Sequence, residues 1–280
     1  TGFGPPTAEV LRDALADLAD LGYGALHSDV PVGMDADAYA ELLEKFGFRP
    51  APGYFAADFA DREGLPDTIE KARAHARQLN ALGVDTTFVA GTASMPRIAR
   101  PAVGEASSEE ATKRNAEGLA AVAEAGLAEG VRFALHPHIG MTIETETETR
   151  AILDLTSGSA LAFGPDTGHL FWAGCLPQDI IRDYADRVAA VHLKDVDLAA
   201  MQRATRYNDD YMTATNVRHV WTEPGRGAIN FPAVLAALPE SFDGWLILVV
   251  DVPHRRNDEV HAVGAGIGLG LDPRRVTLLR

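Results

Sequence analysis

The sequence predicts a single (β/α)₈ barrel over residues 1–280, on three observations: its length, a recurring helix–glycine–strand unit, and polar clusters at the ends of successive strands. At 280 residues the chain has the size of one such barrel, which usually takes about 250 residues. Hydrophobic residues make up 46% and charged residues 23%, a balance that lets a sizeable core form.

The recurring unit is an Ala/Leu-rich stretch, a glycine, then a short β-branched or aromatic run. It occurs at Leu21-Gly22-Tyr23, Phe46-Gly47-Phe48, Leu82-Gly83-Val84 and Glu129-Gly130-Val131. Glycine at that point tolerates the left-handed conformation that ends a helix and turns the chain into the next strand. Between the junctions, apolar residues recur at helical spacing, as in Val10, Leu11, Ala14, Leu15 and Leu18, or Leu119, Val122, Ala123 and Leu127, so each helix has one face to lay on a sheet. Ser107 with Glu110, and Thr145 with Glu148, have capping-box spacing and mark helix starts.

Strands are expected at Tyr23–Val30, Phe48–Phe55, Val84–Ala90, Val131–His136, Ala160–Gly164, Val188–Leu193 and Trp245–Val250. The eighth should precede the helix that begins near Thr7, but Thr1–Pro6 offers only Phe3 as an apolar anchor. The first strand is therefore expected upstream of residue 1 or cut short. A barrel without it exposes two sheet edges, and an open doubly wound sheet is the competing architecture. The stretch Asp197–Ala228 is the longest without periodicity and is expected to cap the site.

Composition removes several function classes. A formal charge of −15 opposes the Lys/Arg-based grip on phosphates that nucleic-acid binding needs, so no nucleic-acid partner is expected. The single Cys175 cannot form an internal disulfide, and no N-terminal basic-then-apolar run is present, which fits a reducing cytoplasm. Apolar runs such as Trp245–Val250 fall far short of the roughly 20 residues that span a bilayer, so no membrane partner is expected.

The chemistry should sit at the C-terminal ends of the strands, where barrel enzymes place it. There the sequence delivers His136-Pro137-His138, Asp166-Thr167-Gly168-His169, His192-Leu193-Lys194-Asp195, and Asp251 followed by His254. One histidine at a strand end is usually structural. Recurrence at equivalent ends of consecutive strands argues for one shared site. Imidazoles and carboxylates without a nearby thiolate suit Mn, Co, Fe, Zn or Mg. Trp172 could stack on a polyol ring, with packing an equal alternative, and Glu223-Pro224-Gly225-Arg226-Gly227 could bring Arg226 and backbone amides to a substrate oxygen or be a plain turn. His27 and Asp29 are weaker candidates; Asp209 and Asp210 read as solvated, and His75, His219 and His261 as surface residues.

Leu135-His136-Pro137-His138-Ile139-Gly140, Ile143-Glu144-Thr145, Asp166-Thr167-Gly168-His169, His192-Leu193-Lys194-Asp195-Val196 and Gly244-Trp245 resemble inosose (2-keto-myo-inositol) dehydratases, within the xylose isomerase-like superfamily of sugar isomerases and epimerases. The likeness covers about residues 131–251. It implies a divalent metal, Mn or Co foremost and Mg, Fe or Zn otherwise, held by Glu144, Asp166, His192 and Asp251. His136 and Val249 stand where related isomerases carry metal-binding glutamates. The resemblance further implies elimination of water beside the ketone of a keto-cyclitol or keto-sugar through an enediolate, with His138, His169 and Lys194 for proton transfer and His136, Trp172 and Arg226 for substrate contacts. An isomerase or 3-epimerase, an endonuclease with a trinuclear zinc site, and a metal-free binding protein are the alternatives. Barrels of this group often pair, which leaves a homodimer open.

Overall fold

A computed structural model describes residues 33–249, with 24–27, 30–31, residues 15, 16 and 19, and the backbone of 276–279. Parallel pairing runs through most of the strands. β1 (Ala25–His27) pairs with β2 (Arg49–Ala51). After Pro52, which has no N–H to give a ladder, the same stretch continues as β3 (Gly53–Ala57) and pairs on its other side with β4 (Thr86–Gly91). β4 pairs with β5 (Arg132–Leu135), and β5 with β6 (Ala162–Phe163). Parallel bridges at Phe163–Val188 and Asp166–His192 carry the ladder to β7 (Ala190–Leu193). A short antiparallel pair, β8 (Asp195–Val196) and β9 (Trp221–Thr222), stands off the end of β7, which itself pairs with β10 (Trp245–Val249).

The last partner was not among the strands read from the sequence. β11 (Val276–Leu279) pairs in parallel with β10 and lies beside β1, so the station between β10 and β1 is filled from the C-terminal part of the chain. The expectation of a strand before Thr7 falls outside the described residues.

Alternation along the strands creates two apolar layers. Outward residues such as Phe133, Leu135 and Phe163 pack with Leu119, Val122, Ile152 and Leu153 from the helices Glu109–Ala128 and Glu146–Leu155. Inward residues Phe88, Ala190 and Ile247, with Tyr54, Trp245 and Val249 against them, fill the lumen. Gly164 is needed there: a Cβ on it would lie 2.8 Å from Phe88 and 3.0 Å from Ala134. Gly47, Gly83 and Gly130 have positive φ of 77°, 73° and 86°, as the helix–glycine–strand reading requires; Gly22 lies outside the described residues.

Local expectations differ in three places. Ser108, not Ser107, caps Glu109–Ala128, while the Thr145/Glu148 capping box forms as read. His75 is half-buried, its Nε2 2.9 Å from Thr87 Oγ1 and its ring against Phe55 and Phe133, so it belongs to the layer beneath a helix and not to the surface. The 197–228 segment is built, not loose: helices Leu198–Tyr207 and Tyr211–Asn216 are capped by Asp197 and Asp210, and Arg218 pairs with Asp209 at 2.6 Å. Among the described residues no helix is long and apolar enough to cross a membrane.

Candidate active site

His136 follows the last residue of β5 on the lumen side, and Asp166 and His192 come from the next two strands, which bridge to each other at those residues. One ligand atom from each of the three lies within 4.8 Å of the others, and all three are buried. His192 Nδ1 is 3.6 Å from Asp166 Oδ2. Phe88 forms the floor, its ring centroid 4.1 Å from His192 and 5.0 Å from His136, and Tyr54 meets His136 edge-on at 5.6 Å.

Hydrogen bonds fix which atoms these residues present. His136 Nδ1–H donates to the Gly164 carbonyl at 2.9 Å, which leaves Nε2 as the lone-pair nitrogen. Burial first, and His192 second, hold its pKa well below the ordinary histidine value, so the ring is neutral and able to ligate. Asp166 Oδ1 accepts the N–H groups of Gly168 and His169, both at 2.9 Å, capping Thr167–Trp172, while Oδ2 turns to His192. These three groups fit a divalent cation by donor type and by spacing.

Above the trio, His138 and His169 stack with ring centroids 3.6 Å apart. The residue between the first ring and the loop, Ile139, serves both. Its carbonyl accepts from His138 Nδ1 at 2.8 Å, and its N–H donates to His169 Nδ1 at 3.3 Å. The two rings therefore differ at Nδ1: His138 carries a proton there and His169 a lone pair. Burial, then His138 and Lys194, keep the His169 pKa well below the ordinary value. Lys194 Nζ lies 4.0 Å from the centroid of Trp221, and Thr167 Oγ1 bonds both the N–H (2.9 Å) and the carbonyl (2.7 Å) of Lys194, tying the end of β7 to the neighbouring helix.

Three predicted site residues stand elsewhere. Glu144 is outside the His136/Asp166/His192 group: its carboxylate accepts the N–H groups of Gly140, Ala102 and Gly104 at 2.9, 3.3 and 2.9 Å. Those bonds engage both oxygens. Arg226 is exposed and 3.9 Å from Glu223, and the amides of Gly225 and Gly227 in its loop donate to Asp195 instead of facing a ligand. Trp172 is 6% exposed, stacked on Tyr211 at 5.7 Å and edge-on to Trp221 at 5.3 Å, so packing accounts for it. Asp251 lies outside the described residues, as do Asp29, His254 and His261; for His27 only the backbone is described. Val249, two residues beyond Ile247, packs with the lumen cluster.

The sequence reading missed Trp221 and Tyr211, which roof the two imidazoles: Trp221 lies 4.7 Å from His169 and Tyr211 6.1 Å from His138. Both come from the aperiodic segment, whose aromatic residues were the available signal. Asp195 was also missed as a structural anchor, although Gly225 and Gly227 downstream are the kind of residues whose amides converge on an acid.

Comparison with known proteins adds to this geometry. Residues 15–268 match the family model described as xylose isomerase-like TIM barrel. The inosose dehydratase of Geobacillus kaustophilus (strain HTA426) is 30% identical over 240 residues, 84% of this chain and 78% of its own. Among solved structures, an L-ribulose 3-epimerase superposes with a TM-score of 0.63 at 18% identity, covering 88% of this chain and 77% of that one. The IOLI protein with a bound zinc atom gives 0.62 at 18% identity, over 87% and 84%.

Proposed function

The chain belongs to the xylose isomerase-like TIM barrel family, and on that premise we propose that it is a divalent-metal-dependent carbon–oxygen lyase that removes water from a keto-cyclitol or keto-sugar, as an inosose dehydratase does. The observation that carries this reading is the pair of imidazoles that present Nδ1 oppositely, ring centroids 3.6 Å apart, with His138 6.1 Å from His136 of a His/Asp/His cation site.

His136, Asp166 and His192 would hold the ion, and a solved neighbour of the same fold carries a bound zinc atom. A bound divalent ion would supply Lewis acidity toward a substrate carbonyl. His138 Nε2, kept as an acceptor by the Ile139 carbonyl, takes the proton from the carbon beside the ketone. Lys194 donates to the departing hydroxyl, and His169, neutral and protonated on Nε2, donates a hydrogen bond to a ring hydroxyl. Phe88 and Tyr54 below, with Trp221 and Tyr211 above, restrict water around the transfer.

A sugar isomerase or 3-epimerase would share the proton removal and return the proton. What favours the lyase is the donor set, since His136 and Val249 occupy the positions where the resemblance places paired glutamates for shuttling a proton. The test is to load the protein with Mn or Co, offer a panel of inososes and 3-keto-sugars, and follow ultraviolet absorbance. An enone or diketone chromophore is expected; an epimer formed without it would reject dehydration. Asp166→Asn and His192→Ala should both lose stoichiometric metal.

A further inference from the structure

The Glu144 carboxylate, expected as a metal ligand, sits 1% exposed beneath a loop with three backbone amides on it. Two of them, from Ala102 and Gly104, belong to residues with φ of 68° and 67°, a conformation that turns nearby amides toward one anion. The third is the N–H of Gly140, whose peptide unit has the Ile139 carbonyl at its other end. In a trans peptide the C=O and N–H point in opposite directions. When Glu144 draws the Gly140 N–H to itself, the Ile139 carbonyl is aimed the other way, and it is there that His138 Nδ1 finds its acceptor at 2.8 Å.

We propose that Glu144 is a positioning residue: through the single peptide unit Ile139–Gly140 it fixes the orientation and proton placement of the His138 ring. The inference rests on the reading of His138 as the proton acceptor, and it extends that reading to a residue that never touches substrate. Ile139 N–H, on the adjoining peptide, orients His169, so one short stretch of backbone sets both rings. The stretch is anchored a second time where Ser94 N–H donates to the Gly140 carbonyl at 2.9 Å, and where Arg97 Nη1 donates to the Met141 carbonyl at 3.2 Å. Glu144 supplies the bond that selects the direction of the Ile139 carbonyl; the others hold the loop.

The test uses the full-length, metal-loaded protein. Glu144→Gln keeps the shape but has one acceptor oxygen for three amides. It should retain full metal content, lower kcat about 10- to 100-fold with KM within about twofold, as loss of an outer partner of an active histidine does, and change the ¹⁵N signature of the His138 ring from the Nδ1–H form. Gly140→Ala approaches the same peptide from its other side while Glu144 stays. Its φ of 85° strains any side chain, although a Cβ there would meet only Ile98 at 3.4 Å and Tyr211 at 3.9 Å. It should give the same ring signature, and it serves where Glu144→Gln does not fold. An unchanged His138 signature in either folded variant overturns the proposal, as does loss of the metal from Glu144→Gln, which would return Glu144 to the ligand set. The ring signature is read without turnover, so a wild-type protein inactive on every keto-cyclitol would refute the lyase reading and leave this inference standing or falling by itself.

Discussion

At the scale of single residues, the role of each buried acid follows from how many N–H groups reach it. Asp195 is fully buried and accepts four: Val196 and Ile229 on Oδ1 at 2.8 and 3.0 Å, Gly225 and Gly227 on Oδ2 at 2.8 Å each. Glu144 accepts three from its loop. Asp166 spends Oδ1 on its helix cap and turns Oδ2 to His192, so it is the acid of the three with an oxygen directed into the site. Asp195→Asn would replace one acceptor oxygen by an NH₂ facing two donors. It should cost about 2–3 kcal/mol of stability, read as a lower midpoint in urea, with metal content retained; a midpoint equal to wild type would show that the amides do not depend on the charge. Gly227→Ala tests the same clamp sterically, because its Cβ would fall 2.3 Å from Asp195 Oδ1 and 2.4 Å from the Val196 carbonyl. A loss of about 1–3 kcal/mol is expected, because the added Cβ meets backbone and an anchored carboxylate that must shift.

At the scale of elements, the sequence discloses what is local and hides what is distant. The Thr145/Glu148 capping box was legible because both partners lie three residues apart. That Glu148 also takes both Nη atoms of Arg97 and the hydroxyl of Ser107 was not, since these come from 51 and 41 residues away. The helices Leu198–Tyr207 and Tyr211–Asn216 escaped for a related reason: they bury only Ala200, Ala204 and Ala214, too few apolar positions to make a stripe, and they pack on aromatic residues from other parts of the chain. The imidazoles were legible as strand-end motifs, whereas the amides gathered on Glu144 were not, because a carboxylate beside a His-rich loop looks alike in sequence whether it holds an ion or a peptide. The Arg97–Glu148 pair, both 4–5% exposed, joins the segment after β4 to the helix after β5. Arg97→Ala would leave Glu148 charged and buried, at a cost of about 3–5 kcal/mol. Burial pushes the Glu148 pKa up, but the hydrogen bonds and charge of Arg97 outweigh it and leave the group below its ordinary value of 4.5. A carboxylate lowered by folding stabilises the native state above that value and loses its contribution as pH falls through the lowered one. The stability gap between wild type and Glu148→Gln should therefore be widest near neutral pH and narrow below about pH 4.5; a constant gap down to pH 3 would refute the linkage.

At the scale of the whole molecule, the site depends on the strand ends being held at one mouth of a closed cylinder, and the strand that pairs beyond β10 is one the sequence reading did not foresee. A first strand was expected before Thr7, in residues outside the described ones; between β10 and β1, a parallel strand of the right register completes the wall. The run Val276-Thr277-Leu278-Leu279 does so, pairing Val276–Leu246, Thr277–Ile247, Leu278–Leu248 and Val249–Leu279. Its importance follows from its neighbours: β10 pairs on its other side with β7, where Ile247 stands opposite His192. Opening the β10–β11 seam would leave β10 an edge strand and loosen the register that presents His192 to Asp166. Thr277→Pro removes a backbone N–H from a strand with neighbours on both sides, and should cost about 1–3 kcal/mol for the lost ladder bond, whereas Thr277→Val keeps the N–H and favours the strand. The expected result is a lower urea midpoint and weakened metal binding for the proline variant alone, because the seam and the ligand on β7 share β10. Unchanged metal affinity in a destabilised proline variant would mean that the cation site is held by β5, β6 and β7 without help from closure; equal midpoints for the two variants would mean that 276–279 does not complete the wall.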